Sequence, residues 1–186
     1  MNQPPRNRRF EQLALPHLDA AFNFARVLTR NDADAEDVVQ DAYLRAYRFF
    51  DGFRGRDARP WLLAIVRNTC FTWLRANRPA ELVGGYDEGE GGASDCVLGA
   101  QAAANPEAQL LGSLDRTMLN QAIAALPPVF REVLVLRELE DCAYKDIARI
   151  VDVPIGTVMS RLARARRLLR QSLQVIATAA DSQVHR

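Results

Sequence analysis

Lysine is almost missing from this chain: Lys145 is the only one, so arginine carries nearly all of the positive charge. Cysteine is sparse and odd in number. Cys70, Cys96 and Cys142 show no Cys-x-x-C spacing, which argues against a disulfide frame or zinc site and for a reducing compartment. There are 2 histidines, no H-E-x-x-H, no serine elbow, no Cys-His pair and no recognisable pair of carboxylates. No catalytic residue, metal or cofactor is therefore expected, and an enzyme is the weakest reading. His17 reads as an ordinary surface or core histidine. The longest apolar run, Trp61 to Val66, is too short to span a bilayer. The opening MNQPPRNRRF has no apolar signal core, so a cytoplasmic location without membrane insertion is expected.

One absence divides the chain. Between Pro79 and Asp115 there is no Lys or Arg, while Glu81, Asp87, Glu88, Glu90, Asp95, Glu107 and Asp115 are acidic. The net charge of +1 thus hides two basic segments on either side of an acidic one. With 48% hydrophobic residues the chain has enough for packed cores. Helical periodicity dominates, and the expected fold is all-α, with two small helical domains joined by a flexible acidic linker. The expected partition is a disordered basic tail over 1–9, a first lobe over 10–78, the linker over 79–104, a second lobe over 105–174 and a frayed tail over 175–186.

The second lobe holds the most informative stretch. Ala143 to Val151 reads as a short helix, Asp152-Val153-Pro154 as a tight turn, and Ile155 to Arg170 as a second helix. Asp tolerates the left-handed backbone such a turn needs, and Pro154 suits the start of a new helix. Val158, Leu162, Ala165 and Leu169 repeat on one side, against Thr157, Ser160, Arg161, Arg164 and Arg167 on the other. That segment contains five arginines and no acid. A helix pair with a cationic outer face is what helix-turn-helix readers place in the DNA major groove. The plainer reading, arginines that are only solvated, leaves the paired helices and missing acids unexplained. Upstream, Leu126-Pro127-Pro128 ends one helix. Val133, Leu134, Leu136 and Leu139 of the next are available to pack beneath the pair, completing a self-sufficient core.

In the first lobe, Phe10 to Thr29 reads as a helix with Pro16 near its start or at a kink. Asp32 is a candidate cap for the next helix, whose apolar set is Ala35, Val38, Val39, Ala42, Tyr43, Ala46 and Phe49. Its other side carries Asp37, Gln40, Asp41, Leu44, Arg45 and Arg48; a leucine among charges there suggests a docking face, although a lone exposed leucine needs no explanation. A loop then interleaves Phe53, Arg54, Arg56 and Arg59 with Trp61, the mixture that grips single strands. Arg67 and Asn68 follow on the next helix. Taken alone, Trp61 and Trp73 read as core.

The two basic lobes together resemble the extracytoplasmic-function sigma factors of bacterial RNA polymerase. DADAEDVVQDAYLRAY at Asp32–Tyr47 and WLLAIVRNTCFTWLR at Trp61–Arg75 are similar to that family's second conserved region. LPPVFREVLVLRELE at Leu126–Glu140 and YKDIARIVDVPIGTVMSRLARARRLLR at Tyr144–Arg170 look like the fourth. The resemblance implies a non-catalytic subunit that binds core polymerase at the β′ clamp helices and the β flap. It also implies promoter DNA, single-stranded at the −10 element and duplex at the −35 element, and an anti-sigma factor as partners. By the same resemblance, Asp37, Gln40, Asp41, Leu44, Arg45 and Arg48 dock on the polymerase. Phe53, Arg54, Arg56, Arg59, Trp61, Arg67 and Asn68 take the −10 strand. Thr157, Met159, Ser160, Arg161, Ala163, Arg164 and Arg167 face the −35 groove, with Lys145 and Arg149 on phosphates.

The chain departs from the family pattern at Asp152, where a Gly is usual, and at Met159, where a Lys or Arg is usual. Asp141-Cys142-Ala143 replaces Gly-Leu-Ser, and the segment from Phe53 to Trp61 is one residue short and lacks the aromatic before the Trp. Two other binding readings compete. A stand-alone helix-turn-helix regulator explains the second lobe but not the first. A sigma-like decoy that captures an anti-sigma factor leaves the DNA-facing arginines without purpose.

Overall fold

A computed structural model describes residues 5–55, 57–82 and 106–184. The linker expected over 79–104 lies outside them from residue 83 onward, as does Arg56. The described residues form eight α-helices: α1 Arg6–Ala14, α2 Leu18–Thr29, α3 Asp32–Phe49, α4 Ala58–Asn77, α5 Pro106–Ala125, α6 Pro128–Glu138, α7 Tyr144–Val151 and α8 Ile155–Val184. No strand occurs among them. Helices α2, α3 and α4 pack on one another, and α8 packs across α5, α6 and α7.

The segment expected as one helix over Phe10–Thr29 is two. Leu15-Pro16-His17 forms a 3-10 turn between α1 and α2, because Pro16 has no N–H to continue the α-helical ladder. The basic tail over 1–9 is also not all irregular, since α1 starts at Arg6. Its cations find partners at the end of α3. Arg6 donates to the Tyr47 carbonyl at 2.7 Å, lies 4.6 Å over the Tyr47 ring and pairs with Asp51 at 3.2 Å. Phe10 then packs edge-on against Tyr47 and Phe50.

Helix α3 is capped by Asn31 rather than Asp32: the Asn31 side chain accepts from the Asp34 N–H at 3.0 Å. Ala35, Val38, Val39, Ala42 and Ala46 are buried as the periodicity requires. Phe49, placed on that face by sequence, is 68% exposed, and Phe50 in the following turn takes the inward position instead. The tail expected to fray from residue 175 continues as α8 to Val184, there being no Gly or Pro to stop it.

The largest departure concerns the lobes. The second was expected to have its own core, yet one apolar cluster spans both. It joins Phe24, Leu28, Val38, Leu63, Val66 and Phe71 to Val133, Leu136, Ile147, Ile150, Val158 and Leu162. Helix α4 packs on α7, and α2 packs on α6. Each lobe also keeps a smaller cluster, around Phe10 and Leu62 in the first and around Leu126 and Phe130 in the second.

Phe24 is wholly buried, so Phe24→Ala should cost about 3–5 kcal/mol of stability in a denaturant titration. Phe49→Ala, removing a ring that faces water, should stay within about 0.5 kcal/mol. Equal losses would contradict this assignment of the inward face.

Candidate nucleic-acid and polymerase interface

The helix-turn-helix forms as its spacing predicts. Helix α7 ends at Asp152, whose φ of 56° and ψ of 52° lie in the left-handed region that short Asp and Asn side chains tolerate. The Val153 N–H reaches back to the Ala148 carbonyl at 3.1 Å, and α8 begins two residues later. Val158, Leu162 and Ala165 turn inward, with Leu169 half-buried. Met159 and Arg167 are exposed, and Thr157, Ser160, Ala163 and Arg164 are half-buried beside them. The Ser160 hydroxyl donates to the Thr157 carbonyl at 3.0 Å, and the Arg164 guanidinium lies 5.3 Å over the Phe130 ring. Lys145 and Arg149 are exposed on α7, where Arg149 pairs with Asp146 at 3.5 Å. The outer face of α8 thus presents Met159 and Arg167 to solvent, with Arg161 turned partly away toward Glu132 at 3.8 Å.

The arginine-aromatic loop is more closed than its composition implies. Phe53 is buried, 4.8 Å from the Trp61 ring and stacked on Phe50 at 6.4 Å, so its ring is not offered to solvent. Gly55 allows this packing: a Cβ there would come within 2.9 Å of the Phe53 ring. Asp57 caps α4 by accepting from the Arg59 N–H at 3.0 Å. Arg54 and Asn68 are exposed and Trp61 is half-buried. Arg59 and Arg67, however, are held by the second lobe. Arg59 donates to Glu140 at 2.7 Å and approaches the Cys142 Sγ at 3.7 Å. Arg67 makes a fork on Glu132 at 2.7 and 3.2 Å while lying 4.2 Å over the Phe71 ring.

Glu132 is 0% exposed. Burial pushes its carboxyl pKa upward, against the hydrogen bonds and charge of Arg67 and the charge of Arg161, which favour the ionised form. A second polar joint lies beside it. Arg131, also buried, donates to the carbonyls of Leu126 at 2.6 Å, Ala124 at 2.9 Å, Leu28 at 3.1 Å and Val27 at 3.2 Å. Two of those carbonyls belong to the end of α2. Burial lowers the Arg131 pKa to about 10, which leaves it cationic at neutral pH. Glu81 gathers Arg30, Arg78 at 3.7 Å and Arg131 at 3.8 Å.

Sequence reasoning did not single out Glu132, Glu140, Arg131 or Glu81. A signal existed for the first: Glu132 falls at the inward helical positions shared with Val129, Val133 and Leu136 in VFREVLVLRE. An acid on an apolar face needs a buried partner.

The face of α3 expected to dock is open. Asp37, Gln40, Asp41 and Arg48 are exposed, Leu44 is 56% exposed, and Arg45 pairs with Asp41 at 2.7 Å. Among the described residues no group of three or more His, Cys, Asp or Glu is placed to hold a metal, and no helix is long and apolar enough to cross a membrane.

Comparison with known proteins agrees with this layout. Residues 13–79 match Sigma-70 region 2, and residues 116–169 match Sigma-70, region 4. The ECF RNA polymerase sigma-E factor of Haemophilus influenzae is 36% identical over 158 residues, covering 80% of this chain and 78% of that protein. Its Escherichia coli counterpart is 38% identical over 144 residues, 76% of this chain and 74% of that protein. The RNA polymerase sigma-H factor of Pseudomonas aeruginosa is 33% identical over 170 residues, covering 90% of this chain and 87% of that one. Among solved structures, the sigma factor RpoE in complex with the anti-sigma factor NepR from Bartonella quintana superposes with a TM-score of 0.66. It is 29% identical and covers 90% of this chain and 98% of that one. CnrH in complex with the cytosolic domain of CnrY gives 0.64 at 25% identity, covering 91% of this chain and 90% of that one. The chain belongs to the extracytoplasmic-function family of RNA polymerase sigma factors.

Cys70 sits in α4 beside the Arg67–Glu132 joint, and burial is the chief cause that pushes its thiol pKa up from the ordinary value of 9.0 to about 12. Between those values the unfolded thiol has lost its proton and the folded one has not, so stability falls as pH rises through that window. The wild type should lose up to about 1.4 kcal/mol per pH unit there relative to Cys70→Ala, read from denaturant midpoints. Parallel pH profiles would contradict the buried, protonated thiol.

Proposed function

We propose that this chain directs core RNA polymerase to promoters through three surfaces, acting in the cytoplasm without catalysing a reaction itself. The observation that carries the reading is the open, leucine-bearing face of α3 in the same chain as a helix-turn-helix. A stand-alone regulator has no use for the first, and a decoy has no use for the second.

The α3 surface of Asp37, Gln40, Asp41, Leu44, Arg45 and Arg48 docks on the β′ clamp helices, with Leu44 as the apolar centre and the charges as a rim. Arg54, Arg59, Arg67 and Asn68 line the path of the −10 single strand, to which Arg56 is also assigned by sequence: the cations neutralise phosphates, and Trp61 offers an aromatic edge. Helix α8 enters the major groove of the −35 duplex. Ser160, Arg161 and Arg164 reach base edges, while Thr157, Met159, Ala163 and Arg167 complete the contact surface. Lys145 and Arg149 hold phosphates, which fix register without reading sequence. Met159 presents a thioether where a cation is usual in the family, so this chain makes one charge-assisted contact fewer at the −35 element. The polymerase performs the chemistry and this subunit selects where it begins. An anti-sigma factor is the expected regulator.

Leu44→Asp should abolish core polymerase binding in a pull-down while leaving the circular dichroism spectrum and Tm unchanged; undiminished core affinity would remove the docking assignment. Arg164→Ala should cost about 1–3 kcal/mol of discrimination at one −35 base pair, measured with the holoenzyme on promoter variants. A loss that is uniform over all variants would make Arg164 a phosphate anchor instead. Tight, specific duplex binding by the chain without polymerase would favour the stand-alone regulator.

A further inference from the structure

The cations of α1 have no place among the three surfaces described above. Its first turn carries Arg6, Arg8 and Arg9 and no acid. Cations at a helix N-terminus oppose the helix dipole, so α1 by itself gains nothing from them. Arg6 is accounted for by Asp51 and the Tyr47 ring, which fix α1 against the end of α3. Arg9 is not. It is exposed, it forms no ion pair with any described residue, and its guanidinium lies 5.5 Å over the Phe50 ring. Phe50 stacks on Phe53 of the arginine-aromatic loop at 6.4 Å, and Phe10 of α1 meets it edge-on at 5.3 Å. One apolar cluster holds Phe10, Phe50, Phe53, Ala58 and Leu62, so α1, the loop and the start of α4 form a single packed unit. Arg54, next to Phe53, is exposed and likewise has no ion pair among the described residues. Two guanidiniums without carboxylate partners thus stand at the surface of one aromatic stack.

We infer that the path of the −10 strand continues past the loop onto α1, where Arg9 binds a backbone phosphate of the single-stranded DNA. This rests on the assignment of Arg54 and its loop to that strand. A guanidinium laid over a ring spends its face on the ring and keeps its N–H edge for two anionic oxygens, the geometry a phosphate offers. Cations around an aromatic stack grip a strand without reading its sequence. An acidic protein surface would be the other partner for Arg9, but continuity with the loop through Phe50 favours the strand. Arg8 carries the same charge about 100° round the helix from Arg9 and is assigned no contact.

The test uses holoenzyme assembled with the full chain and a fork fragment of a promoter that it transcribes, single-stranded on the non-template strand from the −10 element downstream. Arg9→Gln should bind the fork roughly fivefold more weakly at about 0.1 M salt, with a log–log salt slope shallower by about 0.7, the loss of one strand phosphate contact. Arg9→Lys should restore most of both. Arg8→Gln, the same change of net charge on the same turn, should alter neither. Neutral methylphosphonates at successive strand positions locate the contact: the parent loses affinity at one position to which Arg9→Gln is indifferent. Arg54→Gln, measured alongside, should also weaken fork binding and reports on the loop itself. A loss with Arg54→Gln but none with Arg9→Gln would overturn the extension onto α1 and leave the loop assignment standing. No loss with either would remove the loop assignment and the inference with it. Equal losses with Arg8→Gln and Arg9→Gln would reduce the effect to the general field of α1 and overturn the phosphate contact. Weaker core polymerase binding by Arg9→Gln at an unchanged salt slope would give Arg9 to the polymerase and overturn the inference.

Discussion

The arrangement of this molecule depends on one buried ion pair, Arg67 with Glu132. A carboxylate with no exposed surface persists only if its charge is met in place, and here a guanidinium from the other half of the chain meets it with two hydrogen bonds. Such a pair adds little net stability against an apolar substitute, but it penalises any state in which one partner stays buried alone. It therefore fixes register. With Arg67 on Glu132, α4 lies along α7, the apolar residues of both lobes merge, and Arg131 reaches the end of α2.

That register places the functional faces unequally. The charged, leucine-bearing side of α3 and the outer side of α8 are open to solvent. Arg59 and Arg67 of α4 are turned into the seam. The surface proposed to meet polymerase is thus exposed, while two of the cations proposed to meet the melted strand are held by carboxylates of the other half of the chain. The net charge of +1 hides this unevenness, because the acids are concentrated in one segment and several cations of the basic ones are paired internally with carboxylates.

Much of this was legible in the sequence. The helix pair around Asp152 followed from apolar spacing and a residue that tolerates the left-handed backbone. The buried side of α3 followed from Ala35, Val38, Val39 and Ala42. What periodicity could not supply was long-range pairing. Phe49 and Phe50 are equally apolar, and only the position of α1 decides which of them is covered. Arg6 reads as part of a loose tail until Tyr47 and Asp51 are beside it. Arg59 and Arg67 have the composition of strand-binding residues, and nothing local says that Glu140 and Glu132 will reach them from more than sixty residues away.

The central claim is that the free chain is one body whose halves are joined through Glu132. Pulsed electron-electron double resonance between spin labels at Gln12 and Gln171, both exposed, with the three native cysteines replaced, measures this directly. The account predicts a single narrow distance for the free chain and a broader distribution for the Glu132→Gln variant. A broad distribution in the parent chain, or the same narrow distance in the variant, would contradict it.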